Sequence, residues 1–203
     1  MKYPEWKLKK DLEGIPTIQL GELKAKRAIA TTRSFEYTFS DLENIKERIS
    51  TFATSCAEKL RKQDSSCHTI IVMLSSDRHK KDLEQHRVST KVNLSYPTDS
   101  SLIISNNAIE AVISIYKKGI KYKRAGVIVT GLVPTNNHQL HLFEHENPKH
   151  KPLMSVIDNM NKKYKGYKIK LGNQDLERTW KMRQERLSPR YTTDINDIIK
   201  IKC

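Results

Sequence analysis

Between Lys26 and Val133 the apolar residues switch between the two-residue repeat of a strand and the 3.6-residue repeat of a helix, and the order of those switches leaves few folds open. Lys26 to Phe35 reads as a strand, with Ala28, Ala30 and Thr32 alternating with Arg27, Ile29, Thr31 and Arg33. Ser40-Asp41-Leu42-Glu43 has capping-box spacing, and Leu42, Ile45, Ile49, Phe52, Ala53, Cys56 and Leu60 then fall on one face, predicting a helix to about Arg61. After a polar break over Lys62 to Ser66, the β-branched run Thr69 to Leu74 predicts a buried strand, and Arg78 to Arg87 a charged loop. Val88 to Ser95 returns as a strand, with Val88, Thr90, Val92 and Leu94 on one face and Ser89, Lys91 and Asn93 on the other, ended by Pro97 and Asp99. A second helix carries Ile104, Ala108, Ala111, Val112 and Ile115 on one stripe, with Lys117 and Lys118 in its last turn and Gly119 placed to stop it. Gly126 to Val133 supplies the last strand before Pro134. The order is β-α-β-β-α-β.

Two right-handed crossovers in that order fold most simply as a ferredoxin-like α+β domain, a four-stranded antiparallel sheet with both helices on one face and the other face open. That domain is expected over residues 25–134, after a lead-in of residues 1–24. Thr135 to His138 is a polar linker, and Gln139 to Phe143, followed by Glu144 to Pro148, reads as an exposed peptide, giving a linker over residues 135–150. Leu142 and Phe143 have no helical stripe to bury them there, so they need a pocket elsewhere. Pro152 to Lys163 predicts a helix with Leu153, Val156, Ile157 and Met160 aligned, and Tyr167, Ile169 and Leu171 alternate with Lys168 and Lys170 as a strand. Residues 151–203 therefore read as a small C-terminal module.

Thirty-seven Lys and Arg against 23 Asp and Glu in 203 residues give a net charge of +14, a field that attracts polyanions. Lys24, Lys26, Arg27, Arg33, Arg78, Lys80, Lys81, Arg87, Lys91, Lys121, Lys123 and Arg124 fall at strand ends and polar strand positions, opposite the helix stripes, where they can hold phosphates. An RNA-reading sheet would need aromatics for base stacking, and neither Thr69 to Leu74 nor Gly126 to Val133 has one. A self-standing protein-interaction or RNA-binding module on the same topology is the other class left open, the interaction module being the harder to exclude. The three cysteines, Cys56, Cys67 and Cys203, have no paired spacing, and His138, His141, His145 and His150 suit no helix face, so no metal site is expected. Ser188 lacks a nucleophile elbow, and Gly126 and Gly131 form no phosphate loop. The start of the chain has no signal-peptide character and no stretch is apolar enough to span a membrane, so a cytoplasmic protein is expected.

Three stretches resemble one family. Thr32-Arg33-Ser34-Phe35 is similar to the Ser-Arg-Ser-Phe-Gly that opens the little-finger domain of Y-family translesion DNA polymerases of the bacterial UmuC type, with Glu36 in place of the glycine. Gln139-Leu140-His141-Leu142-Phe143 resembles the Gln-Leu-x-Leu-Phe peptide by which such polymerases bind the sliding clamp. Trp180, then Leu187-Ser188-Pro189-Arg190-Tyr191-Thr192-Thr193, is similar to the UmuC tail, with Asp194 where a basic residue is expected. The resemblance implies that residues 25–134 are a little finger gripping template-primer duplex without reading sequence, with Ser34 joining the cations above. It further implies that residues 8–23 are the end of a thumb, and that the tail meets a UmuD-type subunit or RecA. No carboxylate cluster of a polymerase palm precedes Lys24, so this chain is expected to need no cofactor and to lack catalysis, while the parent DNA-directed DNA polymerase of SOS mutagenesis would use Mg2+.

Overall fold

Every helix that packs here does so because its apolar residues return each third or fourth position. The computed structural model describes residues 5–17, 25–80, 82, 84–135, 147–164, 168–174, 187–191 and 193–197. Along the chain run α1 (Glu5–Leu12), β1 (Ala28–Phe39), α2 (Leu42–Arg61), β2 (Ser65–Ser76), β3 (Arg87–Thr98), α3 (Ser101–Ile115), β4 (Tyr122–Pro134) and α4 (His150–Tyr164), with one 3-10 turn at Ile195–Asp197. The four strands form one antiparallel sheet in the order β1-β4-β2-β3, so each β-α-β crossover passes over one strand as in a ferredoxin-like sheet, but β4 and β2 stand inside where that sheet has its first and third strands, and β1 and β3 are the edges.

The register sorts the strand side chains into two faces. Ile29, Val129, Ile70 and Val92 form one cross-strand row; Thr31, Val127, Val72 and Thr90 form the next; Arg33, Ala125, Leu74 and Val88 form the third. These rows lie under α2 and α3, whose Ile45, Ile49, Phe52, Cys56, Leu60, Ile104, Ala108 and Val112 are buried with them in one core. Cys56 Sγ lies 3.3 Å from Thr31 Oγ1 and 3.6 Å from the Val127 carbonyl, which fixes α2 over the middle row. The intervening residues of each strand form the opposite, uncovered face.

Several elements differ from the periodic reading. The N-cap of α2 is Asp41, not Ser40: its carboxylate accepts the Asn44 backbone N–H at 3.0 Å, so the capping pair is Asp41 with Asn44 and the Ser40-to-Glu43 box does not form. α3 stops at Ile115 with Tyr116 as its C-cap, which leaves Lys117 and Lys118 beyond the helix and Gly119, at φ 91°, in the turn that follows. β1, β2 and β4 all run longer than their apolar stretches, because cross-strand hydrogen bonds extend pairing past the buried residues. Pro97 does not end β3. β3 is an edge strand, and its register jumps from Thr69↔Asn93 to Cys67↔Thr98, so Pro97 falls in an irregularity where no ladder N–H is required. Residues 168–174 form a turn, not the strand expected from Ile169 and Leu171: Asn161 on α4 donates to the Ile169 carbonyl and accepts its N–H, both at 2.9 Å, taking the groups a ladder would use. Tyr167 lies outside the described residues. Among the described residues no helix is long and apolar enough to cross a membrane.

Candidate nucleic-acid interface

On the uncovered face the register builds four rows, each read from β1 through β4 and β2 to β3. They are Ser34-Arg124-Ser75-Arg87, Thr32-Gly126-Met73-Ser89, Ala30-Ile128-Ile71-Lys91 and Ala28-Thr130-Thr69-Asn93. The β1 side of this surface is made of Ala, Thr and Ser. Gly126 beside it has no room for a side chain, since a Cβ there would overlap Cγ2 and Cβ of Thr32. The result is a low surface on which a ligand can approach the backbone closely, with no aromatic ring in any of the four rows.

The cations are not spread over this surface. Arg124, Arg87 and Lys91 stand on it, exposed, and the first two share one row with Ser34 and Ser75 at the same end of the sheet. Arg124 Nη2 lies 3.4 Å from Thr32 Oγ1, which leans the guanidinium over β1. Lys121 precedes β4 at this end and is exposed; Lys123 donates to the Glu36 carbonyl at 2.7 Å, tying β4 to the tail of β1. Arg78 and Lys80 are exposed in the adjoining β2–β3 loop, ordered by Gln85, which donates to the carbonyls of Asp77 and Lys80 at 3.1 and 2.9 Å. Glu36 needs no glycine-like backbone: the only non-glycine residue with positive φ among the described residues is Asp64.

Two expectations about the cations change. Arg33 shares its row with buried Ala125 and Leu74, so it belongs to the helix-bearing side of the sheet, at its exposed margin, and not with Arg124 and Arg87. Lys26 and Arg27 sit at the far end of the sheet, the Lys26 N–H bonded to Gln63 Oε1 at 3.1 Å; six residues from Ala28 to Ser34 separate the ends by about 20 Å. Lys24, Lys81, Gln139 to Phe143, Trp180 and Thr192 lie outside the described residues.

Of the tail, Ser188, Pro189, Arg190, Tyr191 and Thr193 are described and exposed. Arg190 lies 3.6 Å from Asp194, and its backbone N–H donates to Asp197 at 2.9 Å. Asp194, where a basic residue was expected, thus gives Arg190 a local partner.

Periodicity left one set of contacts unforeseen, the polar anchors of α4. Arg61 makes a bidentate pair with Asp158, at 2.6 and 2.8 Å, and also donates to the Asp99 carbonyl at 2.6 Å. His150 Nδ1 meets Ser100 Oγ at 3.2 Å, and Asn173 bonds both Ser50 and Ser105. The partners are 38 to 123 residues apart, so no local spacing signals them. Burial raises the Asp99 carboxyl against the opposing pull of Arg61 and Lys151. Burial also pushes the Cys67 thiol up to about 12 and raises that of Cys56, so neither supplies a thiolate at neutral pH. Among the described residues no group of His, Cys, Asp or Glu is placed to hold a metal ion.

An interleaved antiparallel sheet with one helix-covered face and one open face that carries cations at one end defines the class: an α+β module of β-α-β-β-α-β order. The family follows from the sequence, since a family model for the impB/mucB/samB family C-terminal domain matches residues 26–142, and the chain belongs to that family. A second model, a domain of unknown function (DUF4113), matches residues 151–201. The chain is 31% identical over 196 residues to Protein UmuC of Salmonella typhimurium, covering 95% of this chain and 46% of that protein. It is 30% identical over 176 residues to Protein MucB of Escherichia coli, covering 86% of this chain and 41% of that one. The chain therefore spans less than half the length of these relatives. A solved structure titled as a complex of the beta-clamp processivity factor and the little finger domain of PolIV aligns at TM-score 0.40 and 18% identity, over 58% of this chain and 99% of that one. At that level of likeness the fold rests on the strand order and register above.

Proposed function

We propose that this chain is the duplex-gripping and tethering C-terminal region of a UmuC-like translesion DNA polymerase that acts in SOS mutagenesis, with residues 25–134 as the little finger. The observation that carries the reading is the row Ser34-Arg124-Ser75-Arg87 at one end of an uncovered sheet face whose β1 side holds only Ala, Thr and Ser. Two guanidiniums in one row, with Lys91 farther along the face, match phosphates along a backbone, and the small residues let backbone N–H groups approach it. Phosphate contacts of this kind position a duplex without reading its bases. The absence of aromatic rings from the four rows counts against single-stranded RNA stacked on this face.

Gln139 to Phe143 is the sliding-clamp peptide of this reading, and Trp180 with Ser188 to Thr193 the contact for a UmuD-type subunit or RecA. The Mg2+-dependent polymerase centre belongs to the parent, and primer extension by this chain alone should be undetectable.

Fluorescence anisotropy with labelled duplexes against salt tests the grip. Replacing Arg87, Lys91 and Arg124 together by Gln should weaken binding to every sequence and lower the magnitude of the log–log salt slope by roughly 2 to 3, since each phosphate contact contributes about 0.9. Replacing Lys26 and Arg27 by Gln should change it less. A triple variant with an unaltered slope would place the DNA elsewhere.

A further inference from the structure

α4 carries a surface that duplex binding does not use. Its anchors fix its rotation: Met154 is buried beneath it, Asp158 is turned inward onto Arg61, and Asn161 is clasped to the Ile169 backbone. With that side committed, Leu153, Val156, Met160 and Tyr164, spaced three, four and four residues apart, face outward as one stripe. They are 44%, 59%, 38% and 53% exposed, and Ile169, held beside α4 by Asn161, is 37% exposed. Among the described residues nothing covers them. From Leu153 to Tyr164 the stripe runs about 16 Å, three helical turns.

Charge identifies the occupant. Residues 147–171 contain seven lysines and one carboxylate, Asp158, and that carboxylate is held by Arg61. Lys149 and Lys163 flank the stripe and Lys168 adjoins Ile169. A nucleic-acid backbone would satisfy the lysines but leave four apolar side chains in water. A partner helix with its own apolar ridge and acidic flanks satisfies both, because ridges spaced at three and four residues interdigitate with this one.

We propose that the outer face of α4 is a docking surface for an acidic amphipathic helix of a partner protein. It lies on the helix-bearing side of the domain, away from the open sheet face, so it is independent of duplex binding and can be occupied at the same time.

The test uses the full chain and a fluorescein-labelled synthetic helix of about 18 residues, with Leu at helical spacing on one face and Glu elsewhere, read by anisotropy. Saturable binding is expected, weakened about tenfold by the double variant Val156→Ser/Met160→Ser, with thermal melting unchanged because both residues are exposed. The single variant Val156→Thr, which keeps side-chain shape and exchanges one methyl for a hydroxyl, should weaken it in the same direction. Salt should reduce the affinity without abolishing it, because the apolar contact remains. Four results would each overturn the proposal: no binding; equal binding of a scrambled peptide of the same composition; indifference to both variants; or displacement of the peptide by duplex DNA or by phosphatidylglycerol vesicles.

Discussion

Arg61 joins three segments through one guanidinium: α2, on which it sits, the Asp99-to-Ser101 corner, and α4 through Asp158. With the Arg side chain mostly buried and the carboxylate about one-third exposed, Asp158→Asn should cost about 1–2 kcal/mol, between an exposed pair and a buried one broken on one side. Hydrogen exchange should rise in α4 while the sheet stays protected; uniform loosening would show that α4 is not separately held. Gly126 is a second such residue, where contact and not backbone freedom sets the requirement. Gly126→Ala should destabilise the sheet by about 1–3 kcal/mol through overlap with Thr32, and adding Thr32→Ala should recover part of it. Equal losses in the single and double variants, by urea unfolding, would show that the overlap is relieved some other way.

At the level of elements, the Asp41 cap of α2 gives a pH-dependent contribution whose sign follows from its direction. Hydrogen bonds from Asn44 lower the Asp41 carboxyl below its ordinary range. Its stabilising effect is therefore fully present above the unfolded-state value and is lost as pH falls through the lower, folded one. Asn caps a helix without titrating, so Asp41→Asn should show a smaller fall in melting temperature than the parent chain between pH 5 and pH 3 on the order of a carboxylate titration. Parallel curves would mean that Asp41 does not cap α2 in solution. The same helix shows how far periodicity reaches. Its ends were legible because Leu42 to Leu60 repeat on one face, yet the cap lay one residue away, since Ser40 and Asp41 both suit the position and only backbone geometry selects between them. The four strands and their succession along the chain were legible for the same reason, but their order across the sheet, which long-range pairing sets, was not; nor were their true ends, because pairing at Ser65, Tyr122 and Pro134 is made by backbone groups that leave no apolar pattern. The Ile169–Leu171 alternation misled because Asn161, a residue on α4, takes the backbone bonds a strand would need. The cations were legible as residue types and not as a site: the face of Arg33 depends on register, and the distance of Lys26 from Arg87 on which end of β1 meets which end of β3.

For the whole molecule, the proposals assign duplex grip to the open sheet face, partner docking to the outer face of α4 and the clamp tether to Gln139 to Phe143, and they require that the three fail separately. In the sequence the peptide follows β4. A short peptide makes few contacts, so most of its binding energy must come from one or two apolar side chains desolvated in a pocket, here Leu142 and Phe143. Replacing both by Ala should remove binding to a purified bacterial sliding clamp by calorimetry, while the melting temperature and the salt slope of duplex binding stay as in the parent chain. The Arg87/Lys91/Arg124 variant should do the reverse, weakening duplex binding and retaining the clamp. If the Leu142/Phe143 variant unfolds, those side chains belong to the core and the tether is elsewhere; if either variant loses both activities, the grip and the tether are one surface and their division between sheet and linker is wrong.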